Sequence, residues 1–437
     1  MLNRVRWIAG ILIALPLQLS PGPVAGEGIE GLPEIRAEQR FLASSESPDE
    51  GEAARGEVLK SLPAKGGYTV IPLPAFSYDR NESYWVGVLV PVLRANEKEE
   101  IEDIFAPQYL HNKFVGETFS LNYYGYRNET VHYRAIAAYA TKVERHFELG
   151  YKNVGVGGGR YILAAEGLWF KNAFSRFFGI GNRAPEENES TYTSREGQAK
   201  LSAGINLTQH FSVLWTERYR DVRIEDGVIP DLPQTKQRFP TAGGIDGAQI
   251  FGHRLTLLYD SRDNLLTPRQ GTYVSHYWEL AQNLHVHEPD RWVRFVLDAR
   301  HLVPHAGERG VFVARLLIDK VFSRGVPFYE RPMLGGENTL RGFGLNRFID
   351  DNLFLINLEE RIRVFEKRVF DNAIELEAAP FLDFGRVNKE FLGRLGRTQF
   401  NPGVGIRAIS RPNVVGRVDV AYGRDGGNVF VGLDYPF

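Results

Sequence analysis

Apolar and polar positions alternate with a period of two along most of this chain. From 353 to 365 the even positions Phe354, Ile356, Leu358, Ile362 and Val364 are apolar, while Asn357, Glu359, Arg361 and Arg363 are polar or charged and Glu360 is the one break. From 373 to 385, Ile374, Leu376, Ala378, Leu382 and Phe384 fall on one parity and Glu375, Glu377 and Asp383 on the other. Successive side chains of a strand point to opposite faces, so each segment carries one apolar and one polar face. Segments rich in aromatic and β-branched residues, separated by Gly, Asn, Asp and Pro, predict strands at 84–94, 103–111, 116–127, 130–152, 159–171, 192–206, 211–222, 250–262, 271–282, 290–303, 309–322, 352–365, 371–385, 399–409, 413–422 and 427–437.

Short turns at 207–210, 304–308 and 410–412 alternate with longer connections at 172–191, 223–249, 323–351 and 386–398. This asymmetry, with one face for lipid and one for an aqueous lumen, is that of an outer-membrane barrel. The expected fold is therefore all-β, a single transmembrane antiparallel β-barrel of about 16 strands over 67–437. An even strand count puts both ends on the short-turn, periplasmic side. Val429, Val431, Leu433, Tyr435 and Phe437 form one apolar face of the last expected strand, and a Phe closes the sequence.

The first residues are organised differently. Arg4 and Arg6 precede the apolar run from Trp7 to Leu19, followed by Pro21, Pro23 and the small residues Val24, Ala25 and Gly26, the order of a signal peptide over 1–26. The alternative, a membrane anchor, needs an apolar run long enough for about 30 Å of hydrocarbon. Residues 27–66 are rich in Glu, Ala, Ser and Gly and poor in large apolar residues. They are expected to be a short, acidic, disordered periplasmic leader, with at most a short helix near 34–42. Cysteine is absent, which removes thiol catalysis, disulfides and thiolate metal sites. Lys and Arg number 52 against 54 Asp and Glu, spread throughout, so no basic stripe points to nucleic acid.

The connection 323–351 carries the candidate chemistry. Its glycine pair Gly335–Gly336 permits tight turns that would let it fold inward, and a barrel of this size has an interior wide enough to receive it. Arg341 held there needs an anionic partner, because an unpaired charge away from bulk water is costly. Asp383 and Glu359, on the polar parity of their strands, are the candidates; ordinary solvated lumen residues are the alternative. The glycines at 155 and 157–159 lack a following Lys-Ser/Thr and are read as a turn. The nearest histidine pair, His285 and His287, has no further ligand beside it, and no Gly-x-Ser-x-Gly elbow is present. The expectation is a protein that is not an enzyme and takes no metal or cofactor. A catalytic group assembled from separate strands is the alternative.

The chain carries an ordered set of motifs: Phe178 to Asn182; Tyr259 to Asp263 with Pro268, Arg269 and Gly271; Leu334 to Phe343 with the central Arg341, Gly342 and Phe343; Glu359 and Arg361; and Phe381, Asp383 and Gly385. This set resembles the BamA/TamA outer-membrane assembly superfamily, the bacterial surface antigen barrels. The resemblance spans about 70–437. It implies a loop tip at Arg341, Gly342 and Phe343 latched by Glu359 and Asp383, and a sorting strand marked by Gly432, Tyr435 and Phe437 that the outer-membrane assembly machinery reads. The leader is shorter than a POTRA domain, so the resemblance is to a barrel-only branch. It implies assistance to the insertion or translocation of proteins in the bacterial outer membrane, with lipid and unfolded outer-membrane or exported proteins as partners. A loop-gated channel for small solutes is the alternative function.

Overall fold

In the computed structural model, residues 67–437 are described apart from 71, 80, 97–100, 129, 265–266, 285–289, 308, 324, 370–371, 391–397, 411–413 and 434. The expected signal peptide, the leader and the pair His285 and His287 lie outside the described residues. The strands are β1 (Tyr68–Val70), β2 (Leu73–Asp79), β3 (Ser83–Leu89), β4 (Val92–Ala95), β5 (Ile101–Asn112), β6 (Gly116–Asn128), β7 (Val131–Ala140), β8 (Arg145–Gly155), β9 (Tyr161–Phe177), β10 (Ser190–Asn206), β11 (Phe211–Asp226), β12 (Ala248–Asp260), β13 (Gly271–Asn283), β14 (Arg291–His305), β15 (Gly310–Phe322), β16 (Met333–Leu334), β17 (Phe348–Ile349), β18 (Asn352–Val369), β19 (Asn372–Asn388), β20 (Gln399–Ser410), β21 (Val414–Gly423) and β22 (Gly426–Leu433).

Twenty of them form one sheet, and β16 with β17 a second. From β5 onward each strand of the large sheet pairs antiparallel with the next one in sequence, an up-and-down meander. β3 and β4 both pair with β5, and they pair in turn with β2 and β1, so each couple runs as one interrupted lane. No helix among the described residues is long and apolar enough to cross a membrane, which says nothing of strands.

The sheet has two more lanes than the expected segments. The segment 130–152 is two strands, β7 and β8. Its turn carries no Gly or Pro because a side chain closes it: Nη1 of Arg145 donates to the carbonyls of Ala140, Lys142 and Glu144 at 2.5, 2.9 and 2.6 Å. The lane of β1 and β2 contains Pro72 and Pro74, which argue against a central strand, but it lies at the end of the meander where proline is tolerated.

Alternation decides the faces. On β11, Ser212, Leu214, Thr216, Arg218, Arg220 and Val222 are buried while Trp215 between them is exposed. Leu201, Leu255, Leu257, Trp278 and Leu280 are exposed in the same outward sense, an apolar outer surface suited to lipid. The inner face wraps around the 323–351 connection. That connection reaches Arg218 of β11, Arg417 of β21 and Asn81 in the turn before β3, positions far apart along the meander. β22 lies beside β2 at the seam, and among the described residues no backbone ladder joins them.

Candidate functional site

The connection from β15 to β18 is an inward hairpin. The sequence showed no strand character here, yet its base is the short ladder of β16 and β17, with Met333 opposite Ile349 and Leu334 opposite Phe348. Beyond it Gly335 and Gly336 take φ of +120° and +103°, a region open to glycine but strained for other residues. The Gly336 amide donates to the Phe343 carbonyl at 3.1 Å and closes the tip.

Arg341, at that tip, is fully buried. Its Nε and Nη2 donate to Oδ2 and Oδ1 of Asp383 at 2.9 and 2.8 Å, and its Nη1 to Oε2 of Glu359 at 2.7 Å. Such a two-pronged contact fixes orientation as well as charge. The Phe381 ring centroid lies 3.3 Å from the guanidinium carbon. Register brings the acceptors there: Asn357 of β18 stands opposite Asp383 of β19, and Glu359 opposite Phe381, all inward. The network continues through Arg407, which binds Glu359 at 3.2 Å and Asp419 at 2.6 Å, to Arg417, which reaches Asp419 at 3.2 Å and Glu337 of the loop at 2.5 Å. Burial pulls the Arg341 pKa down, and the carboxylates of Asp383, Glu359 and Asp419 outweigh it, so the group is held above its ordinary value and stays charged.

The neighbours of Arg341 seat the tip. A Cβ on Gly342 would lie 2.9 Å from the backbone nitrogen of Gly423, so the tip rests directly on the end of β21. Phe343 packs edge-on against Phe348, centroids 4.9 Å apart, among Leu334, Leu340, Leu353, Leu355 and Val387. The Phe178 to Asn182 motif lies against the loop base: the Gly181 amide donates to the Ile349 carbonyl at 2.7 Å, and Arg347 stacks on Phe178.

Sequence reasoning missed a second anchor. Glu330 sits on a single 3-10 turn, Phe328–Glu330, and is buried. Arg218 donates to it at 3.1 and 2.9 Å and Arg220 at 2.6 Å. Arg218 also meets Glu279, Arg220 meets Glu196, and Arg254 meets Glu279, giving a run of alternating charges. Phe328 and Tyr329 beside it join an apolar cluster with Phe177, Tyr192, Trp292 and Ile349. The available signal was Arg218 and Arg220 two apart on one strand face.

Gly432 lies in β22, opposite Arg417. Tyr435 and Phe437 do not continue the strand's outer face as expected: β22 ends at Leu433, and both rings lie on the inner side. Tyr435 stacks 3.5 Å from the Arg361 guanidinium carbon and donates to Oε2 of Glu377 at 2.9 Å. Phe437 packs near Leu302, Val311 and Val313 and lies over Arg341 and Arg315. Guanidinium faces attract aromatic rings, and here they compete successfully with the lipid-facing side.

A large antiparallel sheet, greasy outside and charged inside, with a connection pinned in its interior, defines a plugged outer-membrane barrel. The chain belongs to the Omp85 superfamily, whose domain matches residues 116–423. The resemblance carried by the ordered motifs is thus borne out. Among solved structures the chain is similar to BamA from Haemophilus ducreyi lacking POTRA domains 1-3, at 13% identity and TM-score 0.53 over 87% of this chain and 76% of that one. It is also similar to CdiB from Escherichia coli, at 11% and 0.51 over 86% and 62%, and to CdiB from Acinetobacter baumannii, at 12% and 0.47 over 84% and 59%. The chain thus spans less than two thirds of either CdiB, and at these identities the likeness is one of fold. No curated protein sequence matches the chain. Omp85 barrels are outer-membrane proteins that insert or translocate proteins.

Proposed function

We propose that this chain inserts or translocates proteins at the bacterial outer membrane, with the 323–351 loop latched inside the barrel by Arg341, Glu359 and Asp383. The observation that carries the reading is the buried three-way contact of Arg341 with two strands of an Omp85-family wall. Hydrocarbon cannot satisfy open strand edges, so a catalyst of insertion must lend them a partner. The β2–β22 seam is the place where a client strand would pair by β-augmentation. Arg341, Gly342 and Phe343 hold the loop against β18, β19 and β21 and so keep the wall beside that seam in one arrangement. Folding of the client supplies the free energy. The leader at 27–66 belongs in the periplasm. Gly432, Tyr435 and Phe437 act as a sorting signal on the unfolded chain, before the rings take up their inward positions.

The test reconstitutes the purified barrel in liposomes and follows insertion of an unfolded small barrel protein. Acceleration by the wild type that is lost in Arg341→Ala supports the reading. A barrel that gives no acceleration but conducts ions more strongly once the loop is unlatched favours the solute channel.

A further inference from the structure

Four cations stand side by side on the outer face of the large sheet. Arg145 of β8 lies opposite Lys171 of β9, Lys171 opposite Arg195 of β10, and Arg195 opposite Arg223 of β11. Each shares the outward parity of exposed apolar residues on its own strand: Phe147 and Leu149 on β8, Trp169 on β9, Leu201 on β10 and Trp215 on β11. The row therefore crosses four adjacent strands, about 14 Å at the usual strand spacing. Like charges directly opposite one another destabilise a sheet. The fold offsets part of this: Glu225 meets Lys171 at 2.7 Å and Arg195 at 3.4 Å, and Asp221 stands 3.9 Å from Arg223. Arg145 is occupied by the carbonyls of its own turn and the Tyr139 ring. Among the described residues Glu225 and Asp221 are the carboxylates that pair with the row, so the cations outnumber the anions.

Its height on the wall decides what the row meets. Outward positions over 161–169 of β9 and 197–205 of β10 carry no charge, and these stretches match the roughly 9–11 residues with which a tilted strand crosses hydrocarbon. Lys171 and Arg195 are the next outward residues. Beside them Trp169 lies against Phe147, ring centroids 5.8 Å apart, in the place of an interfacial aromatic girdle. The row stands at the end from which the connections 178–189 and 227–247 leave, whereas the short turns at 156–160 and 207–210 lie at the other end. The long connections of outer-membrane barrels face out of the cell, which sets the row level with the headgroups of the outer leaflet.

We propose that Arg145, Lys171, Arg195 and Arg223 form a docking row for the phosphorylated sugar headgroup of an outer-leaflet glycolipid. Guanidinium groups take phosphate oxygens in pairs, and the strand spacing spreads the cations to meet a disaccharide with a phosphate at each end. Trp169 and Phe147 give its acyl chains an apolar surface. The phosphates bring the negative charge that the row lacks. The proposal goes beyond the insertion reading; it rests on the outward placement of the long connections that accompanies that reading, and involves neither seam, latch nor client.

The full-length barrel in non-ionic detergent, its folding checked by heat-modifiable gel mobility, is titrated with bis-phosphorylated lipid A, and the bound fraction is read by native mass spectrometry. Lys171→Gln combined with Arg195→Gln and Arg223→Gln should weaken binding at least tenfold. Arg160→Gln, an exposed cation at the short-turn end, should leave it within twofold. Arg223→Gln alone, at an exposed position, should weaken binding severalfold and serves if the triple variant does not fold. Arg195→Lys, which keeps the charge, should retain most of the affinity. Lipid A stripped of both phosphates should bind the wild type no better than intact lipid A binds the triple variant. Wild-type affinity in the triple variant, an equal loss with Arg160→Gln, or phosphate-free lipid or phosphatidylglycerol binding as tightly as lipid A overturns the proposal. Insertion activity does not enter the readout, so failure here leaves the proposed function to its own test.

Discussion

Replacing Arg341 with methionine keeps much of its apolar length and deletes its charge. Glu359 still has Arg361 and Arg407, at 2.9 and 3.2 Å. Asp383 keeps the Asn357 amide, at 2.7 Å, and the backbone N–H of residue 341, at 3.2 Å, but among the described residues it becomes a buried carboxylate without a cation. Removing one partner of a buried pair costs about 3–5 kcal/mol, chiefly because the other charge stays buried and uncompensated. If the docked loop carries that loss, its undocked population rises roughly a hundred- to a few-thousand-fold. Cleavage by proteinase K follows the open population when reclosing is fast, so the cleavage rate within 323–351 in folded barrels should rise by that factor. Asp383→Asn alone should do less, since Arg341 retains Glu359 and has Asp419 at 3.7 Å. The double variant should then fall well short of additive, with a coupling of about 1–3 kcal/mol. A cleavage rate for Arg341→Met within threefold of wild type, or effects that simply add, would refute the latch.

Glu330→Gln leaves Arg218 and Arg220 without their shared loop carboxylate and should cost the docked loop about 1.5–3 kcal/mol, read as faster cleavage near 325–333. Gly342→Ala forces a methyl against Asn401 and the Gly423 backbone, for about 1–3 kcal/mol of overpacking, and should expose the tip while leaving the rest of the barrel's protease resistance intact. Glu144, in the turn between β7 and β8, is a pH-dependent case. Burial, with Glu82 nearby and only the Ala173 amide and Arg145 opposing, holds its carboxyl well above the ordinary carboxylate range. The fold therefore favours the protonated form, and stability is greatest below the unfolded pKa of about 4.3 and declines as pH rises toward the folded value. Glu144→Gln should be the more stable protein at pH 7, with a flatter dependence of its unfolding midpoint on pH; a wild type whose midpoint rises from pH 5 to pH 8 relative to the variant would contradict this.

Much of the wall was legible because a membrane strand announces its faces residue by residue. The parity of Asn357, Glu359, Arg361 and Asp383 gave the inward side correctly. The same parity hides Leu353 and Leu355, which face inward as well because the loop covers them. The turn at 141–144 was invisible because Arg145 makes it with side-chain hydrogen bonds, and the lane of β1 and β2 because its prolines disqualify only a central strand.

What the sequence determined by itself is local: period-two alternation, turn chemistry and the glycines that let a loop reverse depend on each residue and its near neighbours. Alternation says which way a side chain points and not what it meets. Only the register of β18 against β19 sets Glu359 and Asp383 around one arginine, and only the curvature of the sheet around the loop brings Glu330 to Arg218 and Arg220. The placement of Tyr435 and Phe437 is the clearest case. Their alternation suits lipid, but the arginines that draw them inward, Arg361 on β18, Arg315 on β15 and Arg341 in the loop, lie far away in sequence, and three-dimensional packing made that choice.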